Sequence, residues 1–281
     1  MNRRSLLTLL CFFGLAAAGR AETITAAAAA DLKFAMDEIV SAFEASAPAD
    51  KVEVIYGSSG KFHTQIRQGA PYDLYFSADV AFPRRLAEAG FAASEVRPYA
   101  LGRIVLWSAS LDATRMTLAS LTDPAITRIA IANPQHAPYG RRAAEALRAS
   151  GVWNRIETKL VFGENIAQTA QFVETGNAQV GILALSLALS PQLAKQGGYW
   201  LVPDTLHEPL EQGYIVTRRG EGNALAQRFA NFMSGPAARA VMVRYGFVLP
   251  GDVSASLRFS PGADSERREC SFRKAIFSLS S

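Results

Sequence analysis

VIYGSSGKFHTQIRQGAPYDLYFSAD, residues 54–79, is the stretch on whose parsing the fold turns. Val52, Val54, Ile55 and Tyr56 are the β-branched and aromatic residues of a strand, and Gly57 stops it. Ser58, Ser59 and Gly60 follow, and then Phe62 and Ile66, four apart, set a helical period. The pattern predicts strand, tight turn and helix start. Such a turn leaves the first N–H groups of the helix without intrahelical partners and places two hydroxyls beside them, a donor cup for an anion. An ordinary N-cap looks the same in isolation, so the rest of the chain decides between the two.

Upstream, Thr23 and Thr25 lie in an apolar strand that runs into the alanines of 26–30. Asp31 then stands where an N-cap is expected, before a helix with Ala35, Met36, Ile39, Val40 and Phe43 on one face. Downstream come a strand over 73–77 and a helix over 81–89 closed by Gly90. The order β-α-β-α-β-α predicts a parallel sheet flanked by helices. Residues 99–108 have no helical phase, and a second alternation follows them. It comprises a short helix at 118–121, a strand at 129–132, a helix over 141–150, a strand at Leu160 and Val161, a helix from Asn165 and Ile166 to Thr175, and an apolar strand over 180–185. A strand at 212–217 and helices at 223–234 and 237–245 have no sheet of their own and are expected to pack back on the first lobe. The chain would then cross between lobes near 101–107 and again near 211–216, a hinge of two strands. The predicted architecture is α/β, with 22–100 and 213–250 as lobe 1, 101–212 as lobe 2, and 251–281 as a poorly ordered extension.

Residues 1–21 are read as a secretory signal peptide. Arg3 and Arg4 precede the apolar run 6–18, and Gly19 and Ala21 supply small residues at −3 and −1 of a cut after Ala21. That cut removes Arg3, Arg4 and Arg20 and no acid, so 29 basic residues become 26 against 25 acidic ones. A nearly neutral mature chain gives no footing for nucleic acid or a polybasic membrane surface. Of the 2 cysteines, Cys11 falls in the signal and Cys270 remains alone, so neither an internal disulfide nor a cysteine metal site is expected.

Four strand-to-helix turns present free N–H groups: Ala30 with Asp31, Ser58 with Ser59, 138–140, and Asn165 with Ile166. Two belong to each lobe, and at the carboxyl edge of parallel strands they would face one cleft. A hydrogen bond to a charged ligand is worth roughly 1.5–3 kcal/mol net. Five or so would give binding at roughly micromolar level, about −8 kcal/mol. Hydrolase chemistry fits less well: GSSG is not the G-x-S-x-G elbow, and His63 sits on a polar helix face beside Lys61. His136 reads as a structural hydrogen-bonding residue, and the 3 histidines lack metal-ligand spacing.

With these residues placed, AAAADL, YGSSGKFHTQIRQGAPYDLYFSAD, NPQHAPYGRRAAEAL, GENIAQTAQFVETGNAQVGI and the closing RYGF together resemble the periplasmic molybdate-binding proteins of ABC importers. The resemblance implies a type II periplasmic binding protein, two α/β lobes joined by two crossovers. It implies a periplasmic, monomeric receptor, not an enzyme and without a cofactor, that captures molybdate or tungstate and delivers it to an inner-membrane ABC permease. It further implies that hydroxyls and backbone N–H groups hold the anion: Ser59 with Ser58 beside it, the N–H groups of Tyr139 and Ile166, and the turn at Ala30 and Asp31. Metal would be bound only as the oxyanion, through Ser59, Tyr139, Ile166 and Asp31.

Two positions depart from the family pattern. Asp31 stands where a serine is usual and Ala184 where a tyrosine is usual. Charges about 4 Å apart repel by several kcal/mol at an effective dielectric near 20. Either the Asp31 carboxylate caps its helix away from the ligand while its N–H donates, or it is protonated and donates, or the ligand is another anion, sulfate-like or a small organic one. The capping arrangement is the expectation, with the Tyr139 phenol swung into the cleft in place of the missing tyrosine.

Overall fold

The computed structural model describes residues 22–251; the signal peptide, both cysteines and all of the expected C-terminal extension after Gly251 lie outside them. The chain builds two five-stranded sheets. The first begins with β1 (Thr23–Ala29), α1 (Lys33–Ser46), β2 (Lys51–Gly57), α2 (Ser59–Arg67), β3 (Leu74–Ser77), α3 (Ala81–Glu88) and β4 (Arg97–Gly102). The second holds β5 (Ile104–Ser108), β6 (Ile129–Ala132), α4 (Pro138–Ala149), α5 (Trp153–Ile156), β7 (Leu160–Gly163), α6 (Ile166–Glu174), β8 (Val180–Ala184), α7 (Leu185–Ala188), α8 (Leu193–Gln196) and β9 (Gly198–Leu201). The chain then returns to the first sheet with β10 (Leu210–Val216) and packs α9 (Ala224–Phe232) and α10 (Pro236–Arg244) beside it.

Strand order is β2-β1-β3-β10-β4 in one sheet and β7-β6-β8-β5-β9 in the other. The sheets are mixed, not parallel throughout. β1 runs parallel to β2 and β3, but β10 enters antiparallel between β3 and β4. Likewise β6 runs parallel to β7 and β8, while β5 is antiparallel to β8 and β9. The antiparallel strands are those that carry the chain from one sheet to the other. They arrive from the far lobe without a right-handed crossover helix, so no rule holds them parallel.

The first passage falls within the expected 101–107 but is shorter, and the second lies upstream of the expected 211–216. Arg103 alone separates β4 from β5, and the return spans 202–209, before β10. Boundaries at 101 and 212 therefore cut into two paired strands, β4 and β10. Backbone bonds brace both passages: Leu185 donates to the Arg103 carbonyl at 2.9 Å and Val202 to that of Ile104 at 3.1 Å. α4 starts at Pro138, three residues earlier than predicted, because proline at the first helical position loses no hydrogen bond.

Each lobe has its own apolar core. In the first, Phe76 of β3 stacks on Tyr214 of β10 at 5.0 Å and meets Phe229 of α9 edge-on at 6.3 Å. These buried rings anchor the returning segment to the sheet it left. A large-to-small change at such a position, Phe229→Ala, costs about 3–5 kcal/mol. Ala29, Ala30 and Ala78 of the first lobe are buried in the second lobe's cluster, so the lobes meet in a closed arrangement.

Candidate functional site

The chain opens α2 with Ser59, and Ser58 is its N-cap residue without using its side chain to cap. The Ser59 hydroxyl accepts the N–H of Ala78 at 3.0 Å, and its carbonyl accepts the Tyr75 phenol at 2.7 Å. The Ala78 bond thus holds the Ser59 side chain, and the Tyr75 bond holds its main chain. Because Ala78 occupies a lone pair of Oγ, the hydroxyl proton is left to be donated. Ser58 is used differently. Its hydroxyl donates to the His136 carbonyl at 2.6 Å and lies 3.0 Å from His136 Nδ1. Gly60 N–H donates to the same carbonyl at 3.0 Å. A Cβ on Gly60 would lie 2.6 Å from that oxygen, so only glycine lets the lobes approach here.

The second lobe contributes two helix starts. α4 begins at Pro138 and α6 at Ile166, and the Asn165 side chain caps α6 by accepting from Ala167 and Gln168 at 3.0 Å each. That cap leaves the Ile166 N–H, and the α4 start leaves the Tyr139 N–H, without intrahelical acceptors. Helix dipoles add partial positive charge at both places.

All four turns meet at one small cavity, lined by Ala29, Ala30, Asp31, Gly57, Ser58, Ser59, Ala78, Ala137, Pro138, Tyr139, Asn165 and Ile166. The six residues expected from sequence, Ala30, Asp31, Ser58, Ser59, Tyr139 and Ile166, are all among them. Ala184 is not; it is buried at the end of β8, ahead of α7. Among the described residues no group of three or more His, Cys, Asp or Glu is placed to hold a metal ion.

Asp31 departs from expectation. It lies inside a 3-10 turn, Ala30–Leu32, and α1 starts only at Lys33 with Leu32 as its N-cap residue, so the carboxyl caps nothing. Instead Oδ2 accepts the Tyr139 phenol at 3.0 Å and Gln212 Nε2 at 2.8 Å, while Oδ1 has no partner. The Tyr139 phenol is therefore committed across the cleft to Asp31 and does not substitute for a missing tyrosine. Gln212 Nε2 also reaches the Tyr139 oxygen at 3.1 Å, and Ser186 of α7 donates to the Asp31 carbonyl at 2.7 Å. Burial raises the Asp31 carboxyl to about 7, against the lowering effect of Gln212, Tyr139 and its own backbone N–H. Gly102 makes room for this cluster, since a Cβ there would sit 2.4 Å from the Tyr139 hydroxyl and 2.6 Å from Gln212 Nε2.

Sequence reading missed Gln212, Ser186 and Ala78. Gln212 is an unremarked residue of a strand, Ser186 of a short helix and Ala78 of the bend after β3, and their only common property is position after folding.

Around the cavity, ion pairs join the lobes: Lys61 to Glu164 at 2.5 Å and Arg141 to Asp79 at 3.0 Å. His136 stands between Ser58 and Glu164, its Nε2 at 3.7 Å from the carboxylate. Burial pushes its pKa down. Because the Ser58 proton goes to a carbonyl, this trio lacks the proton path of a nucleophile and base. His63 packs at 5.4 Å against Phe82 and makes no pair with Ser59.

A family model described as bacterial extracellular solute-binding protein matches residues 24–248. The molybdate-binding protein ModA of Azotobacter vinelandii is 37% identical over 236 residues, 84% of this chain and 93% of that protein. ModA of Rhodobacter capsulatus is 35% identical over 249 residues, 88% of this chain and 96% of that protein. The solved structure of the periplasmic molybdate-binding protein of Azotobacter vinelandii superposes with a TM-score of 0.76 at 30% identity, covering 81% of this chain and 99% of that one.

Proposed function

Since the chain belongs to the bacterial extracellular solute-binding proteins, in the family of the molybdate-binding protein ModA, we propose that it is a periplasmic receptor for molybdate or tungstate. It captures the anion between its lobes and delivers it to an ABC permease of the inner membrane. One observation carries the reading: three helix starts and one 3-10 turn, two from each lobe, line a single small cavity, with a serine hydroxyl free to donate. Donors aimed at one point, without a cationic side chain among the lining residues, suit an anion recognised by size and oxygen geometry. The protein touches oxygens only, and the metal at the ion's centre stays out of reach.

The receptor carries no catalytic centre and no cofactor and works as a monomer. Its export uses residues 1–21 as a signal peptide. The lobes close by turning about Arg103 and the 202–209 return, and the ligand adds the contacts that favour the closed state.

Isothermal titration of the mature protein with molybdate, tungstate, sulfate and phosphate tests the assignment. Binding of the first two alone is expected. Sulfate binding at equal strength overturns the ligand, and turnover of an ester substrate that is lost in Ser59→Ala overturns the receptor role.

A further inference from the structure

The cleft holds one acidic side chain that an anion-binding wall should not contain. Asp31 is 1% exposed, lines the cavity, and stands among lining residues that are otherwise uncharged. Its two oxygens are treated unequally. Oδ2 receives two donors, Tyr139 Oη and Gln212 Nε2, and Oδ1 receives none. An ionised carboxylate would spread charge over both oxygens and leave one of them buried and bare. A carboxylic acid protonated at Oδ1 fits the same surroundings, because Oδ2 remains an acceptor for both donors and Oδ1 becomes an O–H donor that needs an acceptor. The oxyanion of the proposed function is such an acceptor.

We propose that Asp31 binds the oxyanion as a neutral acid, donating from Oδ1 as a hydroxyl would, so that the receptor takes up one proton with each anion it captures. The inference rests on the oxyanion reading and deepens it.

The neighbours of Asp31 supply no other means of neutralising it. The titratable groups facing it are the phenols of Tyr139 on α4 and Tyr99 on β4, both kept protonated by burial. Gln212 of β10, Ser186 of α7 and Ile166 of α6 carry no charge. Lys33, two residues along the chain, is turned to Asp37 and to the face of Tyr56. No charged group contributes to the raised pKa of Asp31, which arises from burial.

Closing the lobes is what shields the carboxyl, since the Tyr139 bond spans the cleft. Capture, closure and protonation are thus one linked step: the proton comes from solvent, settles on Oδ1, and leaves again when the cleft opens. A more acidic medium then strengthens capture, and a more alkaline one favours release.

The test is titration of the wild-type protein with molybdate at several pH values from 6 to 8.5, each in two buffers of different ionisation enthalpy. The expected result is an uptake approaching one proton per anion and an affinity that falls tenfold or more across this range. Asp31→Asn and Asp31→Ser, which donate without titrating, are expected to bind with no proton uptake and a flat pH profile. Wild-type binding without proton uptake, or a pH dependence that survives in Asp31→Asn, overturns the proposal and leaves the oxyanion receptor standing. Failure of the wild type and of both variants to bind molybdate or tungstate removes the oxyanion reading and this proposal with it.

Discussion

The two walls of the cleft are built on different principles. The first lobe brings side chains, the Ser59 hydroxyl and the Asp31 carboxyl, each held by named partners: Ala78 and Tyr75 for one, Tyr139 and Gln212 for the other. The second lobe brings main chain, the N–H groups of Tyr139 and Ile166 at two helix starts, and uses its polar side chains elsewhere, Asn165 on its own helix and the Tyr139 phenol on Asp31. A wall of backbone donors tolerates substitution as long as the helix starts stay put. A wall of side chains is written in the sequence and is changed by one codon.

Four measurements break or sharpen that contrast. Ser59→Ala should have the largest effect on affinity. It removes a donor to a charged ligand, about 2–3 kcal/mol, so molybdate affinity by calorimetry should fall roughly 30- to 150-fold, while the unpaired Ala78 N–H lowers the stability of the fold. A loss under threefold would mean that the first wall is not side-chain based.

Gly60→Ala asks whether the walls must touch. Its Cβ meets the His136 carbonyl at 2.6 Å, and overpacking of about 1–2 kcal/mol should weaken binding roughly 5- to 30-fold. Small-angle scattering of the loaded variant should show a more open particle than loaded wild type, and identical curves would contradict the close approach.

Asp31→Asn measures what the acidic side chain costs the fold. The raised carboxyl, about 7 in the folded protein, holds its proton more tightly than in an unfolded chain. The stability that this gives is full below about pH 4 and is lost as pH rises through about 7. Relative to the variant, the wild type should therefore lose about 4 kcal/mol of stability between pH 4 and pH 8 in thermal melts. Parallel stability curves would place Asp31 in solvent.

Ile166→Val is the smallest change and the control for the second wall. Only its N–H is asked for, so affinity should stay within about twofold, under 0.5 kcal/mol. A drop as large as that of Ser59→Ala would erase the difference between the walls.

Much of this site could be read before folding because its elements are local. GSSG after a strand, Ala-Pro before a helical run and Asn165 before Ile166 each mark a helix start within a few residues. Repetition of that signal in two alternating α/β segments carried the two-lobed fold. What resisted reading was long-range or depended on small local geometry. Asp31 in front of an amphipathic run has the appearance of an N-cap, but one 3-10 turn moves the helix start to Lys33 and turns the carboxyl inward. Its partners lie 108 and 181 residues away. The antiparallel entry of β10 and the edge strand β9 were likewise invisible, since alternation of apolar residues says nothing about direction or neighbour.

Gly102 lies directly before Arg103, and its missing side chain admits the Tyr139 and Gln212 groups to the foot of the cleft. The cluster around Asp31 thus sits near the axle about which the lobes turn, while Lys61 and Glu164 stand on the rim. Near an axle, a rotation produces little travel; at the rim it produces much. The contacts of the proton site therefore form early in a closing stroke and the rim pair forms last, so a pair of distance labels reports the whole course best when placed at positions 61 and 164.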